Sequence, residues 1–183
     1  MVTVSIFSLV VLAFVYAQLF GLKQDQLIQS KLGASDQSRV AFDQFARDVR
    51  SAKSYEVGNL SGTTFAGIAN GTPQQGSALR LFLSTNLSVY IVYYFDTNNG
   101  ELHRMHTGVT GSTLIAQHLT NTMYFRAERY NGAIQTDLSH KGVIHTTLWF
   151  WQYQYPTTIV GLGAYYDSYK MDFKFSPHAP DGN

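Results

Sequence analysis

The chain has 183 residues, enough for one domain beyond an opening segment, and its formal net charge of +1 gives no electrostatic basis for binding nucleic acid. It contains no cysteine, which excludes disulfide staples, thiol nucleophiles and zinc sites of the cysteine type. From residue 59 onward only 14 residues are charged while Tyr, Phe and Trp are plentiful, a balance that favours an exported or assembled protein over a free cytosolic one.

The first 22 residues, MVTVSIFSLVVLAFVYAQLFGL, carry no charge and are apolar except at Thr3, Ser5, Ser8, Gln18 and Gly21. As a helix rising ~1.5 Å per residue they would reach roughly 33 Å, enough for a hydrocarbon core of about 30 Å. A transmembrane helix over 1–22 is therefore expected. Val15-Tyr16-Ala17 also offers a secretory cleavage after Ala17, but the basic residues that precede such a site are missing. A third possibility is that the segment is the spine by which copies of the chain stack.

No proline occurs before Pro73, so the helix is expected to continue over 23–57 as an amphipathic half. Leu27, Ile28 and Leu32 cluster on one side, and Phe42, Phe45, Val49 and Ala52 then recur at spacings of three, four and three. Phe42, Phe45 and Val49 are the residues expected to pack this half on a sheet. Gly33-Ala34-Ser35 is a candidate bend and Gly58 the expected stop.

Residues 58–183 read as a β-rich head. A short strand is expected at 63–68, and the apolar period turns to two at Leu79, Leu81 and Leu83. SVYIVYYF (88–95) is β-branched or aromatic almost throughout, and Asp96-Thr97-Asn98-Asn99-Gly100 is a hairpin turn returning as ELHRMHT (101–107). Further strands are expected near 122–130, 143–155 and 169–176, with a strand or short helix at 113–119. The fold class is α+β: a long N-terminal helix, apolar and then amphipathic, packed on an antiparallel sheet.

Chemistry is sparse. His103 and His106 are three apart on a strand and so face opposite ways, and His140 and His145 lie near a turn without a carboxylate pattern. Asp96 to Glu101 hints weakly at a calcium loop, but its Gly comes one position early for that pattern, and a plain hairpin turn is the expectation. No hydrolase, zinc-protease, P-loop or dinucleotide fingerprint is present, so no enzyme is expected. Trp149, Trp151, Tyr153 and Tyr155 alternate onto one face of a strand, with Leu148 and Phe150 on the other. The aromatic face is expected beneath the long helix as core. Should the Leu148 and Phe150 face meet the helix instead, the ladder becomes an interface for a glycan or protein.

These parts together resemble the type IV pilin and type II secretion pseudopilin superfamily. The opening MVTVSIFSLVVLAFVYAQLF is similar to the prepilin helix just after its processing motif. RLFLSTNLSVYIVYYFDTNNGELHRM (80–105), with Tyr93 or Tyr94, Asp96, Gly100, Leu102 and Arg104, resembles J-type minor pseudopilins and W-type minor pilins, and LIAQHLTNTMYFRAERYNG (114–132) is similar to their next segment. The family's cleavage Gly and helix Glu have no counterpart in this chain. The resemblance implies a pilin-like fold and a non-catalytic minor subunit, assembled through its N-terminal helix at or near the tip of a type IV pilus or secretion pseudopilus. It implies assembly contacts through Val4, Phe7, Val10, Val11, Phe14 and Leu19, and other pilin or pseudopilin subunits as partners. It also implies a lipid bilayer before assembly, single-pass insertion in the inner membrane with the head outside the cytoplasm, and a prepilin peptidase if the true start lies upstream. The alternative is a membrane-anchored or secreted binding module that uses the aromatic strand.

Overall fold

The computed structural model describes residues 2–62, 64–117, 119–120, 125–138, 142–153 and 166–177. It opens with a helix, α1 (Val2–Ser51), followed by ten described strands: β1 (Ser54–Ser61), β2 (Thr64–Gly67), β3 (Gln75–Gly76), β4 (Ala78–Phe82), β5 (Tyr90–Asp96), β6 (Glu101–His106), β7 (Thr113–Ala116), β8 (Phe125–Glu128), β9 (Val143–Tyr153) and β10 (Tyr166–Phe175). The chain divides into two compact units. One is Met1–Asp36 with Gln152–Asp167, and the other is Gln37–Trp151 with Ser168–Asn183.

Within the second unit, the helix buries Ala41, Phe45, Ala46, Val49 and Ala52 on one side and leaves Asp43, Arg47 and Arg50 exposed. The helix does not run on to Gly58. It ends at Ser51, whose Oγ donates to the Asp48 carbonyl at 2.9 Å, and Lys53 N donates to the Phe82 carbonyl at 2.8 Å, handing the chain to the sheet. The reason lies in Tyr55 and Val57. They alternate with Glu56 and pair with Leu81 and Leu79 of β4, so a strand here buries two side chains against a formed neighbour.

The expected layout of a helix on one antiparallel sheet, pilin-like, is corrected. The strands form two sheets, one of six in the order β2-β1-β4-β5-β6-β7 and one of four in the order β10-β9-β8-β3. The pairings of β1 with β2 and β4, β3 with β8, β4 with β5, β5 with β6, β6 with β7 and β8 with β9 are antiparallel, and sheet rather than helix dominates the second unit. Phe45 shows why one sheet does not suffice. Its ring meets Tyr93 of β5 at 5.1 Å, Phe125 of β8 at 5.9 Å, and Phe173 and Phe175 of β10 at 5.5 and 5.9 Å, so both sheets contribute to its surroundings. The short strand β3 is the piece that separates them: it joins β8 while its chain neighbour β4 joins β1. Gly76 of β3 lies so close to the Gly58 carbonyl of β1 that any side chain there would strike it.

A second correction concerns the membrane. Among the described residues no helix is long and apolar enough to cross a bilayer. A span takes about 20 predominantly apolar residues. Within Ile6 to Leu22 the apolar run is interrupted by Ser8, Gln18 and Gly21. The transmembrane half expected at 1–22 is withdrawn, and with it the single-pass inner-membrane anchor.

Candidate functional site

The first candidate is the opening turns of α1. Every described side chain from Ile6 to Leu22 is exposed. Phe7, Val10 and Phe14 are 70%, 62% and 63% exposed, and Val11 and Leu19 are exposed as well. Val4, expected in the same group, has its side chain outside the described residues. Phe7, Val10, Val11 and Phe14 follow the i, i+3, i+4, i+7 spacing of one face. Ile6, Leu9 and Phe20 make the remaining faces apolar too. Such a segment has no polar side to turn to water. Helices of this kind normally end up buried on all sides.

The second half of α1 is fixed to the sheets by packing and by one polar group. Phe45 and Val49 are buried, and Phe42 is half-buried, its ring 5.4 Å from Phe173 and 5.3 Å from Phe175. Among these apolar residues sits Asp48, also buried. Its Oδ2 accepts from the Tyr93 hydroxyl at 2.6 Å and from Arg104 Nε at 2.7 Å, and its Oδ1 accepts from Gln44 Nε2 at 3.1 Å. Burial, and then the neighbouring Asp48 carboxylate, push the Tyr93 hydroxyl well above the ordinary tyrosine range, so it stays a donor. Asp48 is not among the residues expected to pack this half of the helix, and it is the pairing of β5 with β6 that brings Tyr93 and Arg104 to it.

The aromatic strand is corrected in part. Leu148 and Phe150 are the buried face of β9, and Trp149 is 46% exposed, so the face expected as core points outward at Trp149. The side chains of Trp151 and Tyr153, and all of Tyr155, lie outside the described residues, as does His140.

Beside Trp149's face a polar cluster laces three strands. Glu128 of β8 is buried, accepts from Lys174 Nζ of β10 at 2.5 Å, and meets His145 Nδ1 of β9 at 2.6 Å. Asp172 accepts from the Thr147 hydroxyl at 2.6 Å and pairs with Lys170 at 2.7 Å. Burial alone would raise the Glu128 carboxyl, but Lys174 and His145 outweigh it and hold the group below its ordinary value. Lys170 and Thr147 hold Asp172 down at about 2.

The β5–β6 hairpin has two faces of different character. Its inner face carries Tyr93 and Arg104 to Asp48. Its outer face carries Asp96 directly opposite Glu101, and Tyr94 directly opposite His103. Asp96, Glu101 and His103 are the group among the described residues whose donor atoms could hold a metal ion together, all within 4.8 Å of one another. The sequence reading weighed Asp96 to Glu101 as a loop along the chain and paired His103 with His106. The hairpin instead brings residue 96 across to 101 and sets 103 on the same face, a grouping that the strand alternation and the turn already contained. Comparison of the chain with protein-family models, with characterised proteins and with solved structures finds no match.

Proposed function

We propose that this chain is a structural subunit that assembles through the opening turns of α1, packing residues 6–22 against the same segment of neighbouring subunits in a helix-cored filament. The carrying observation is the exposure of that segment on every side. Burying a large apolar side chain stabilises by roughly 1.5–3 kcal/mol. If only six of these residues are covered, the gross gain is roughly 9–18 kcal/mol, against an association cost of about 4–15 kcal/mol. Several neighbours around one helix cover more than six, so bundling beyond a pair is favoured. The sequence resemblance to minor pilins and pseudopilins supports the same role, subunits joined through an N-terminal helix.

The test is the assembly state of the purified full chain as detergent is diluted away, followed by sedimentation and electron microscopy. The native sequence is expected to form bundles or filaments of regular diameter. The pair Val10→Asp and Phe14→Asp, one turn apart on one face, is expected to leave monomers. Native chain that remains monomeric, or amorphous aggregates that form equally with both aspartates in place, would overturn the reading.

A second reading, a module that binds a glycan or protein on β9, has Trp149 in its favour. A large aromatic held 46% exposed on a regular strand is a usual anchor for such contacts.

A further inference from the structure

We propose that Asp96, Glu101 and His103 form a binding site for a divalent first-row transition ion, of which zinc is the representative, on the outer face of the β5–β6 hairpin. The site is independent of the assembly reading, since it uses no residue of the opening helix.

Strand geometry supplies the ligand set. The register pairs Asp96 with Glu101, so the two carboxylates project from the same face of adjacent strands. Side chains alternate along a strand, so His103, two residues after Glu101, projects from that face as well. One atom from each of the three lies within 4.8 Å of the others, and His103 Nε2 is already 3.0 Å from Glu101 Oε2. Zinc with ligands at about 2.0–2.2 Å in tetrahedral geometry separates them by roughly 3.4 Å. The three atoms, now within 4.8 Å of one another, would draw in to that spacing on binding.

The imidazole is held in the orientation a ligand needs. The Tyr94 ring stacks on His103 at 5.3 Å and 13°, and Ser112 Oγ lies 3.2 Å from His103 Nδ1. With Nδ1 occupied by that hydroxyl, Nε2 is the nitrogen turned to the carboxylates. A partner on the far ring nitrogen is the usual support of a metal-binding histidine. Asp96 is held as firmly. Its Oδ1 accepts from Asn98 N at 2.9 Å and its Oδ2 from Asn99 Nδ2 at 2.8 Å, bonds that keep its carboxyl below the ordinary range and leave each oxygen a second lone pair. Gly100, at φ +66, makes the loop that brings Glu101 back opposite Asp96.

The charge balance asks for a cation. Like charges directly opposite each other on neighbouring strands destabilise a sheet. Among the described residues no Lys or Arg forms an ion pair with Asp96 or Glu101, and Glu101 pairs instead with His103. One imidazole with two carboxylates suits zinc or manganese. Calcium and magnesium are bound by oxygen alone.

The experiment uses the full chain, stripped with chelator and titrated calorimetrically with zinc chloride, with cobalt(II) absorption as a second readout. The native chain is expected to bind one zinc through this site and to give cobalt bands of low coordination number. His103→Ala and the pair Asp96→Asn, Glu101→Gln each remove a ligand and are expected to weaken that binding by more than the roughly 10- to 100-fold that loss of a supporting partner costs. His145→Ala, in the separate β8–β10 cluster, is expected to leave it unchanged. His103→Asn serves as the second variant if His103→Ala disturbs the hairpin, with circular dichroism confirming the fold of each. The proposal is overturned by no zinc binding, by zinc binding indifferent to His103, or by calcium binding that needs the carboxylates and not the histidine.

Discussion

Asp48 lies three residues after Phe45 and four before Ala52, in the middle of the arc that α1 buries. A carboxylate there is tolerated because Tyr93, Arg104 and Gln44 together satisfy it. Its side chain is 11% exposed and that of Arg104 is 22% exposed, so the pair is screened less than a surface ion pair and less costly to form than a fully dry one. Asp48→Asn keeps the shape, removes the charge and leaves the guanidinium without its anion. The expected cost is about 2–3 kcal/mol. It should appear as a lower urea midpoint with an unchanged slope. A change below about 0.5 kcal/mol, the range of neutral surface substitutions, would show that Arg104 finds another partner or solvent without loss. The position was readable in part from the sequence: an acid at helical spacing inside an apolar stripe is an anomaly that demands partners. Its partners were not readable, because residues 93 and 104 reach it only through the pairing of β5 with β6.

At the scale of elements, the strands with the strongest period-two pattern were legible and those set by their neighbours were not. β5 and β6 announce themselves by aromatic and β-branched runs either side of the turn at 96–100, and their observed bounds, Tyr90–Asp96 and Glu101–His106, follow that pattern. β1 was hidden, because SYEVGNLS follows a long helix and contains a glycine, and only its pairing with β4 makes it a strand. The two-residue β3 has no pattern of its own. The four-stranded sheet carries a pH signature. Glu128 is joined to His145 and Lys174, and Asp172 to Thr147, Lys170 and His145, across β8, β9 and β10. The folded Glu128 carboxyl lies below the ordinary value of 4.5, so the unfolded chain binds this proton more readily than the folded one. Its contribution is fully present above about pH 4.5 and is lost as pH falls through the folded value. Asp172, held at about 2, extends the same trend to lower pH. Urea midpoints measured from pH 6 to pH 3 should therefore fall on acidification. Glu128→Gln should lower the midpoint at pH 6 and flatten the decline. An equally steep decline in that variant would place the acid sensitivity elsewhere.

For the molecule as a whole, the division of the chain falls inside α1, between Asp36 and Gln37. The sequence reading drew its boundaries where composition changes, at 22 and 57. Composition marks where a helix stops being apolar all round, whereas a compact unit is set by which residues share a core, and that depends on contacts far apart in the chain. Those contacts give a direct prediction. The continuous hydrophobic core begins at Ala41, runs through Phe45, Val49, Tyr93, Phe125 and Leu148, and ends at Phe175. All of it lies within the second unit. A protein beginning at Gln37 retains every one of these side chains, and the Asp48 group with them. It loses the exposed apolar segment from Ile6 to Leu22, which contributes nothing to that core. Such a protein is expected to unfold in one cooperative transition, with a urea midpoint within about 0.5 M of the full chain and a similar slope, since the slope follows the surface exposed on unfolding. It is also expected to sediment as a monomer under the conditions that drive the full chain into bundles. These two outcomes separate stability from association, because only the second depends on the first 36 residues. A non-cooperative or unfolded product would mean that the helix residues before Gln37 are needed to hold those after it. A cooperative product that still bundles would move the assembly surface from the helix to the sheets.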